Sequence, residues 1–152
     1  GAGGGWRGGG DGLRQDGGRE SRWVKRHFDR AGQLATEFGG CSTAYPWSQR
    51  DELLADAALV VNTTSQGMLG QTALDVQLQD LPLSALVADI VYIPLETPFL
   101  SEARLCGNAT VNGLGMLLHQ GPLAWKAWCG MEPAVTPALR SLLENSITSA
   151  LP

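Results

Sequence analysis

The chain has 152 residues, a formal net charge of -4, 43% hydrophobic and 17% charged residues. That balance suits one folded domain with its own core and excludes a disordered chain. It also argues against nucleic acid as the main partner, and no apolar run approaches the roughly 20 residues that cross a bilayer. Cys41, Cys106 and Cys129 are widely spaced and form no metal-ligand pattern, so reduced cytoplasmic thiols and no bound metal are expected.

Ten of the first twenty residues are glycine. Gly8-Gly9-Gly10 stands where a helix would follow a glycine turn, and each interior glycine costs about 1 kcal/mol of helix relative to alanine. From Trp23 the pattern is regular. Trp23-Val24 reads as the core of a short strand ending near Lys25-Arg26. Phe28, Ala31, Leu34, Ala35 and Phe38 recur at helical spacing, and Gly39-Gly40 stops that helix. Ser48 is expected to cap a short helix over Gln49–Ala55. Ala58–Asn62 and Leu86–Tyr92 read as strands buried on both faces, with a polar loop holding Gly67 and Gly70 between them. Thr97 caps a helix from Pro98 to about Leu105, Ala109–Val111 is a third short strand, Gly113 opens a long helix to Cys129, and Thr136–Ile147 forms the last helix. Strands alternating with helices predict an α/β fold, a Rossmann-like parallel sheet with flanking helices.

Three groups of residues carry chemistry. Gly1, Ala2, Gly3, Gly4 and Gly5 would offer backbone N–H groups to a phosphate at a helix N-terminus. The third glycine of G-x-G-x-x-G is replaced by Trp6. Such a run follows the first strand of a dinucleotide fold. That strand is missing here, so the sheet is expected to be incomplete at its N-terminus and the chain to be cut from something longer. About twenty residues on, Arg26 lies near the end of a strand with Lys25 and Arg30 beside it. A basic residue there holds the 2′-phosphate of NADP, whereas an acidic one would take the ribose of NAD. Then three loops leave three strand ends: Asn62 to Met68, Asp89 to Pro98, and Asn112 to Gln120. Ligands of open parallel sheets bind along that edge.

These segments resemble the shikimate dehydrogenase family. Its pattern runs GAGGA, N-R-T-x-x-R-A, N-[AT]-[ST]-x-x-G-M, D-x-x-Y-x-P-x-x-T-P and D-G-L-G-M-L-x-x-Q. The matches extend from Arg26 to about Leu143, and the Tyr92…Thr97-Pro98 and Gly113 to Gln120 segments are the specific ones. A glutamyl-tRNA reductase shares the N-R-T-like segment but not those two. The resemblance implies an NADP-dependent oxidoreductase that reversibly reduces 3-dehydroshikimate to shikimate in aromatic amino-acid (chorismate) biosynthesis, a small-molecule enzyme of the cytoplasm, with a homodimer among its admitted assemblies. It implies that Gly1 to Gly5 line the pyrophosphate, Arg26 and Arg30 the adenosine phosphate, Thr63 and Ile90 the cofactor, and Gly113 the nicotinamide. Tyr92 and Gln120 would reach the substrate. The domains implied are an NADP-binding part, residues 1–112, and C-terminal helices, residues 113–152, packing toward a substrate domain. The family's catalytic lysine and aspartate belong to that domain, so no catalytic residue is assigned, and His119 receives no role.

Several positions depart from the pattern. Lys25 and His27 stand for the family's asparagine and threonine, and Asn112 for its aspartate. Residues 5–27 match only at scattered positions. Their glycine, arginine and tryptophan all have G-rich codons, which suggests a stretch translated out of frame. The chain is therefore expected to be inactive alone and to bind NADP weakly. Micromolar NADPH affinity would overturn that expectation. Two alternatives stay open: a related quinate/shikimate dehydrogenase that uses NAD, and a degenerate nucleotide-binding fragment without activity.

Overall fold

The computed structural model describes residues 20–26 and 28–150. Gly1 to Gly5 and most of the anomalous stretch 5–27 lie outside the described residues. The chain forms two units, one made of Gly1–Ala57 with Val76–Pro82 and the other of Ala58–Asp75 with Leu83–Pro152.

In the first unit, strand β1 (Ser21–Lys25) leads into helix α1 (Phe28–Phe38) and returns as strand β2 (Ser42–Pro46). The two strands pair in parallel, Trp23 opposite Ala44, as a crossover helix requires. Trp23 and Ala31 are buried, with Ala35 and Ala44 packed against them, so α1 covers this small sheet. Arg22 ties the unit together: it donates to the Leu53 carbonyl at 3.0 Å, to both carboxylate oxygens of Asp56 and to Glu20.

Two expectations for this unit change. Ser42–Pro46, which carries no strand signal in the sequence, is a strand. Gln49–Ala55 is not a helix: two short 3₁₀ turns, Trp47–Gln49 and Glu52–Leu54, stand there, and Ser48 lies inside the first of them. Neither turn has a side-chain cap, and the segment is too short to offset the nucleation of an α-helix. Its side chains are drawn elsewhere. Arg50 stacks over the Trp47 ring at 5.1 Å, and the Asp51 carboxylate accepts from Gln77 N–H at 2.9 Å.

The second unit holds a three-stranded parallel sheet, β3 (Leu59–Asn62), β4 (Leu86–Asp89) and β5 (Ala109–Val111), with β4 in the middle. Helix α2 (Pro98–Leu105) crosses from β4 to β5 and packs on both. Thr97 caps it by accepting from Leu100 N–H at 3.3 Å, and Pro98 takes the first position. The core lies between this helix and the sheet: Val87, Phe99, Leu100 and Ala103 are all buried. Each large side chain among them contributes about 1.5–3 kcal/mol. The opposite reading, strands buried on both faces, is corrected. Val61 and Leu86 are each 36% exposed and Val111 is 50% exposed, because among the described residues α2 is the one helix packed broadly on β4 and β5.

β4 also stops three residues short of the expected Tyr92. The Asp89 carboxylate accepts from Val91 N–H at 3.0 Å and turns the chain out of the sheet. Helices α3 (Leu114–Cys129) and α4 (Pro137–Ser149) close the unit. Gly130 ends α3 in the left-handed conformation, φ 73°, and Thr136 caps α4 through Leu139 N–H. Leu114, Leu118 and Ile147 form the buried seam between α3 and α4, against which Tyr92, Ile93 and Leu95 pack.

Candidate functional site

The strand ends of β3, β4 and β5 lie side by side, because Asn62 is in register with Asp89 and Ala88 with Val111. Thr63, Ile90 and Gly113, which the sequence marks, therefore follow strands that end on one edge of the second unit. Ile90 N–H donates to the Asn62 carbonyl and Gly113 N–H to the Val91 carbonyl, each at 3.0 Å. These bonds carry the sheet one step past its last assigned strand residues.

Asn62 organises the first loop. Its Oδ1 accepts from the N–H and hydroxyl of Thr64 at 3.0 and 2.8 Å, and its Nδ2 donates to the Gln66 carbonyl at 3.0 Å. Thr63, held between Asn62 and Thr64, is 9% exposed, and its buried Oγ1 has no hydrogen-bond partner among the described residues. A buried hydroxyl left this way loses roughly 1–3 kcal/mol of solvation. It suits a ligand atom that supplies the missing bond.

Gly113 is fixed by packing. A Cβ there would sit 2.0 Å from the Ile90 carbonyl oxygen and 2.4 Å from its carbon. Only glycine fits where the start of α3 passes the β4 exit. Ile90, against whose backbone Gly113 packs, is itself half-buried. Asn112, in place of the family's aspartate, donates to the Leu95 carbonyl at 3.1 Å and accepts from Leu114 N–H at 3.3 Å. An aspartate could not make the first of these bonds. Tyr92 is half-buried against the seam between α3 and α4, whereas Gln120 lies exposed on α3.

Arg26 and Arg30 belong to the first unit. Arg26 is exposed just past the C-terminal end of β1, where a basic residue suits a ribose phosphate, and Arg30 sits in the first turn of α1 with its side chain outside the described part. Gly1, Ala2, Gly3, Gly4 and Gly5 lie outside the described residues. In the second unit the orphaned Thr63 hydroxyl suits a polar ligand atom, and in the first unit exposed Arg26 suits a phosphate.

Thr97 caps the helix as expected, but its hydroxyl also donates to the Asp89 carboxylate at 2.7 Å, a contact the sequence does not assign. The signal was present as an aspartate ending an apolar run with Thr-Pro eight residues on. Apart from this edge, an apolar groove of about 270 Å³ on α3 and α4 is lined by Leu117, Pro122, Trp125 and Leu143, among others. It holds none of the marked residues. Among the described residues no cluster of three His, Cys, Asp or Glu could hold a metal ion, and no helix is long and apolar enough to cross a membrane.

No family model matches the chain. Individual proteins do. A shikimate dehydrogenase (NADP(+)) of Nitrobacter hamburgensis is 49% identical over 136 residues, which cover 90% of this chain and 48% of that protein. The chain thus spans about half the length of the curated relatives it matches. Among solved structures, a shikimate 5-dehydrogenase of Thermus thermophilus in complex with NADP(H) and shikimate has a TM-score of 0.74 at 35% identity. It aligns over 99% of this chain and 53% of its own. A quinate dehydrogenase of Corynebacterium glutamicum in complex with NAD has a TM-score of 0.81 at 27% identity, over 98% and 53% respectively. The fold is Rossmann-like, with parallel sheets and flanking helices.

Proposed function

We propose, from the premise that this chain belongs to the shikimate dehydrogenase family, that it is the NADP-binding part of an enzyme that reversibly reduces 3-dehydroshikimate to shikimate in aromatic amino-acid biosynthesis. The parts we propose are a cofactor-binding part, residues 1–112, and C-terminal helices, residues 113–152, that pack toward a substrate-binding part. Exposed Trp125 and Trp128 on α3 support such a packing surface.

In the first unit, Arg26 and Arg30 hold the adenosine phosphate, and Gly1 to Gly5 give N–H groups to the pyrophosphate. In the second unit, Thr63 and Ile90 line the cofactor and Gly113 lies by the nicotinamide. Bound NADPH supplies a hydride for the substrate carbonyl. Thr63 gives its unpaired hydroxyl to the ligand, and Gly113 presents backbone without a side chain to the ring. Tyr92 and Gln120 hydrogen-bond substrate hydroxyls or carboxylate without adding charge. No residue of this chain is assigned a proton-transfer role. The working location is the cytoplasm, the assembly a homodimer, and neither membrane nor nucleic acid is a partner.

The observation that carries this reading is the Thr63 hydroxyl, buried at the end of β3 with no partner among the described residues. The test is a chimera in which this chain replaces the aligned half of the Nitrobacter relative, assayed at about 1 mM NADP so that a weak cofactor site is filled. Oxidation of shikimate, absent from this chain alone, is the expected result. A folded chimera that oxidises quinate with NAD instead would turn the reading to the quinate enzyme. One that turns over neither substrate would turn it to a degenerate nucleotide-binding chain.

A further inference from the structure

A single carboxylate joins the loops that leave β3 and β4. Asp89 is 2% exposed. Its Oδ1 accepts from Asn62 Nδ2 at 3.1 Å and from Val91 N–H at 3.0 Å, and its Oδ2 accepts from the Thr97 hydroxyl at 2.7 Å. None of these donors carries a charge. Burying a carboxylate among neutral donors is costly, and apolar packing would hold three segments together more cheaply if adhesion were all that mattered. What apolar packing does not give is direction. Each donor lies on a different stretch: Asn62 just before Thr63, Val91 between Ile90 and Tyr92, and Thr97 at the cap of α2. Thr63 thus sits between Asn62, which Asp89 holds, and Thr64, which the Asn62 side chain holds, and Ile90 between Asp89 and the amide that Asp89 holds.

We infer that Asp89, with Asn62 and Thr97, is a positioning group that sets Thr63 and Ile90 for the cofactor and Tyr92 for the substrate. It touches neither ligand. A small change at one carboxylate therefore shifts both loops together, because Oδ1 holds Asn62 and Val91 alike while Oδ2 holds Thr97. The inference rests on the reading that this edge receives NADP.

The test uses the whole chain, labelled with ¹⁵N and titrated with NADPH. Backbone amide signals of Arg26, Thr63 and Ile90 are followed. In the unaltered chain all three move. In Asp89→Asn the amide group meets the Thr97 hydroxyl with a donor where an acceptor stood. The Arg26 signal still moves, the Thr63 and Ile90 changes shrink, and the dissociation constant rises about tenfold, as expected when the residues facing the cofactor are displaced. Thr97→Val, which removes the hydroxyl, behaves like Asp89→Asn, and Thr97→Ser, which keeps it, behaves like the unaltered chain.

An Asp89→Asn chain that is folded, judged by unmoved Ala31 and Leu118 signals, and that binds NADPH with unchanged affinity and unchanged shifts at Thr63 and Ile90 overturns the inference. If Asp89→Asn does not fold, equal affinities for Thr97→Val and Thr97→Ser overturn it. Absence of any NADPH response in the unaltered chain, Arg26 included, instead refutes the functional reading, and the inference falls with it.

Discussion

Replacing Gly113 by alanine puts the packing of the sheet edge under a direct load. The added Cβ would lie 2.0 Å from the Ile90 carbonyl oxygen and 2.9 Å from that of Val91. Real Cβ atoms do not approach backbone this closely, and neither neighbour is the mobile end of a side chain. The start of α3 must move away from the β4 exit. Overpacking of this kind costs about 1–3 kcal/mol. The shift also strains the bond from Gly113 N–H to the Val91 carbonyl, now 3.0 Å, worth about 1 kcal/mol. The sum is about 2–4 kcal/mol, which at roughly 2–4 °C per kcal/mol lowers the melting temperature by at least about 4 °C. Thermal melts followed by circular dichroism measure it, with Gly32→Ala as the control. Gly32 lies inside α1 with nothing within 4 Å of an added Cβ, so that change raises stability by about 0.5–1 kcal/mol. A Gly113→Ala chain that melts within about 1 °C of the unaltered one would refute the close-packing argument.

Thr63→Val removes the unpaired buried hydroxyl, so the chain without ligand gains about 1 kcal/mol in urea unfolding while its NADPH affinity falls; a clear loss of stability would mean the hydroxyl is already bonded. The Asp56 carboxyl is held below its ordinary value chiefly by hydrogen bonds from the Arg22 guanidinium. Its folded form favours the ionised state, so the stabilisation is present above the ordinary value of 3.8 and is lost as pH falls through the lowered folded value. Asp56→Asn should therefore be less stable than the unaltered chain near neutral pH and match it in strong acid. Urea melts between about pH 6 and about pH 2 showing a constant gap would contradict this.

Much of the architecture is legible in the sequence, and the reasons are local. Thr97-Pro98 and Thr136-Pro137 each combine a capping hydroxyl with a proline at the first helical position, and both start helices. Ala109–Val111 is short and β-branched between Gly107 and Gly113, and it pairs as expected. Ser42–Pro46 was not legible, since Thr43 and Ser42 break any apolar alternation and Pro46 reads as a stop. Only the parallel register with Ser21–Lys25 makes it a strand, and a partner twenty residues away leaves no local mark. At the site, the positions of Thr63, Ile90 and Gly113 follow from strand ends that the sequence indicates. That Gly113 meets the Ile90 backbone, and that Asp89 binds three segments at once, depends on distances between elements that no periodicity encodes.

The most direct measurement of the central claim, that this chain carries an NADP site, is a titration with NADPH and NADH of the unaltered chain and of Arg26→Ala. Binding is expected to be weaker than micromolar, with NADPH preferred by about tenfold, a difference of about 1.4 kcal/mol, and Arg26→Ala should reduce the preference while leaving NADH binding unchanged. Equal affinity for both nucleotides in the unaltered chain, or a preference undiminished by the loss of Arg26, would contradict the account.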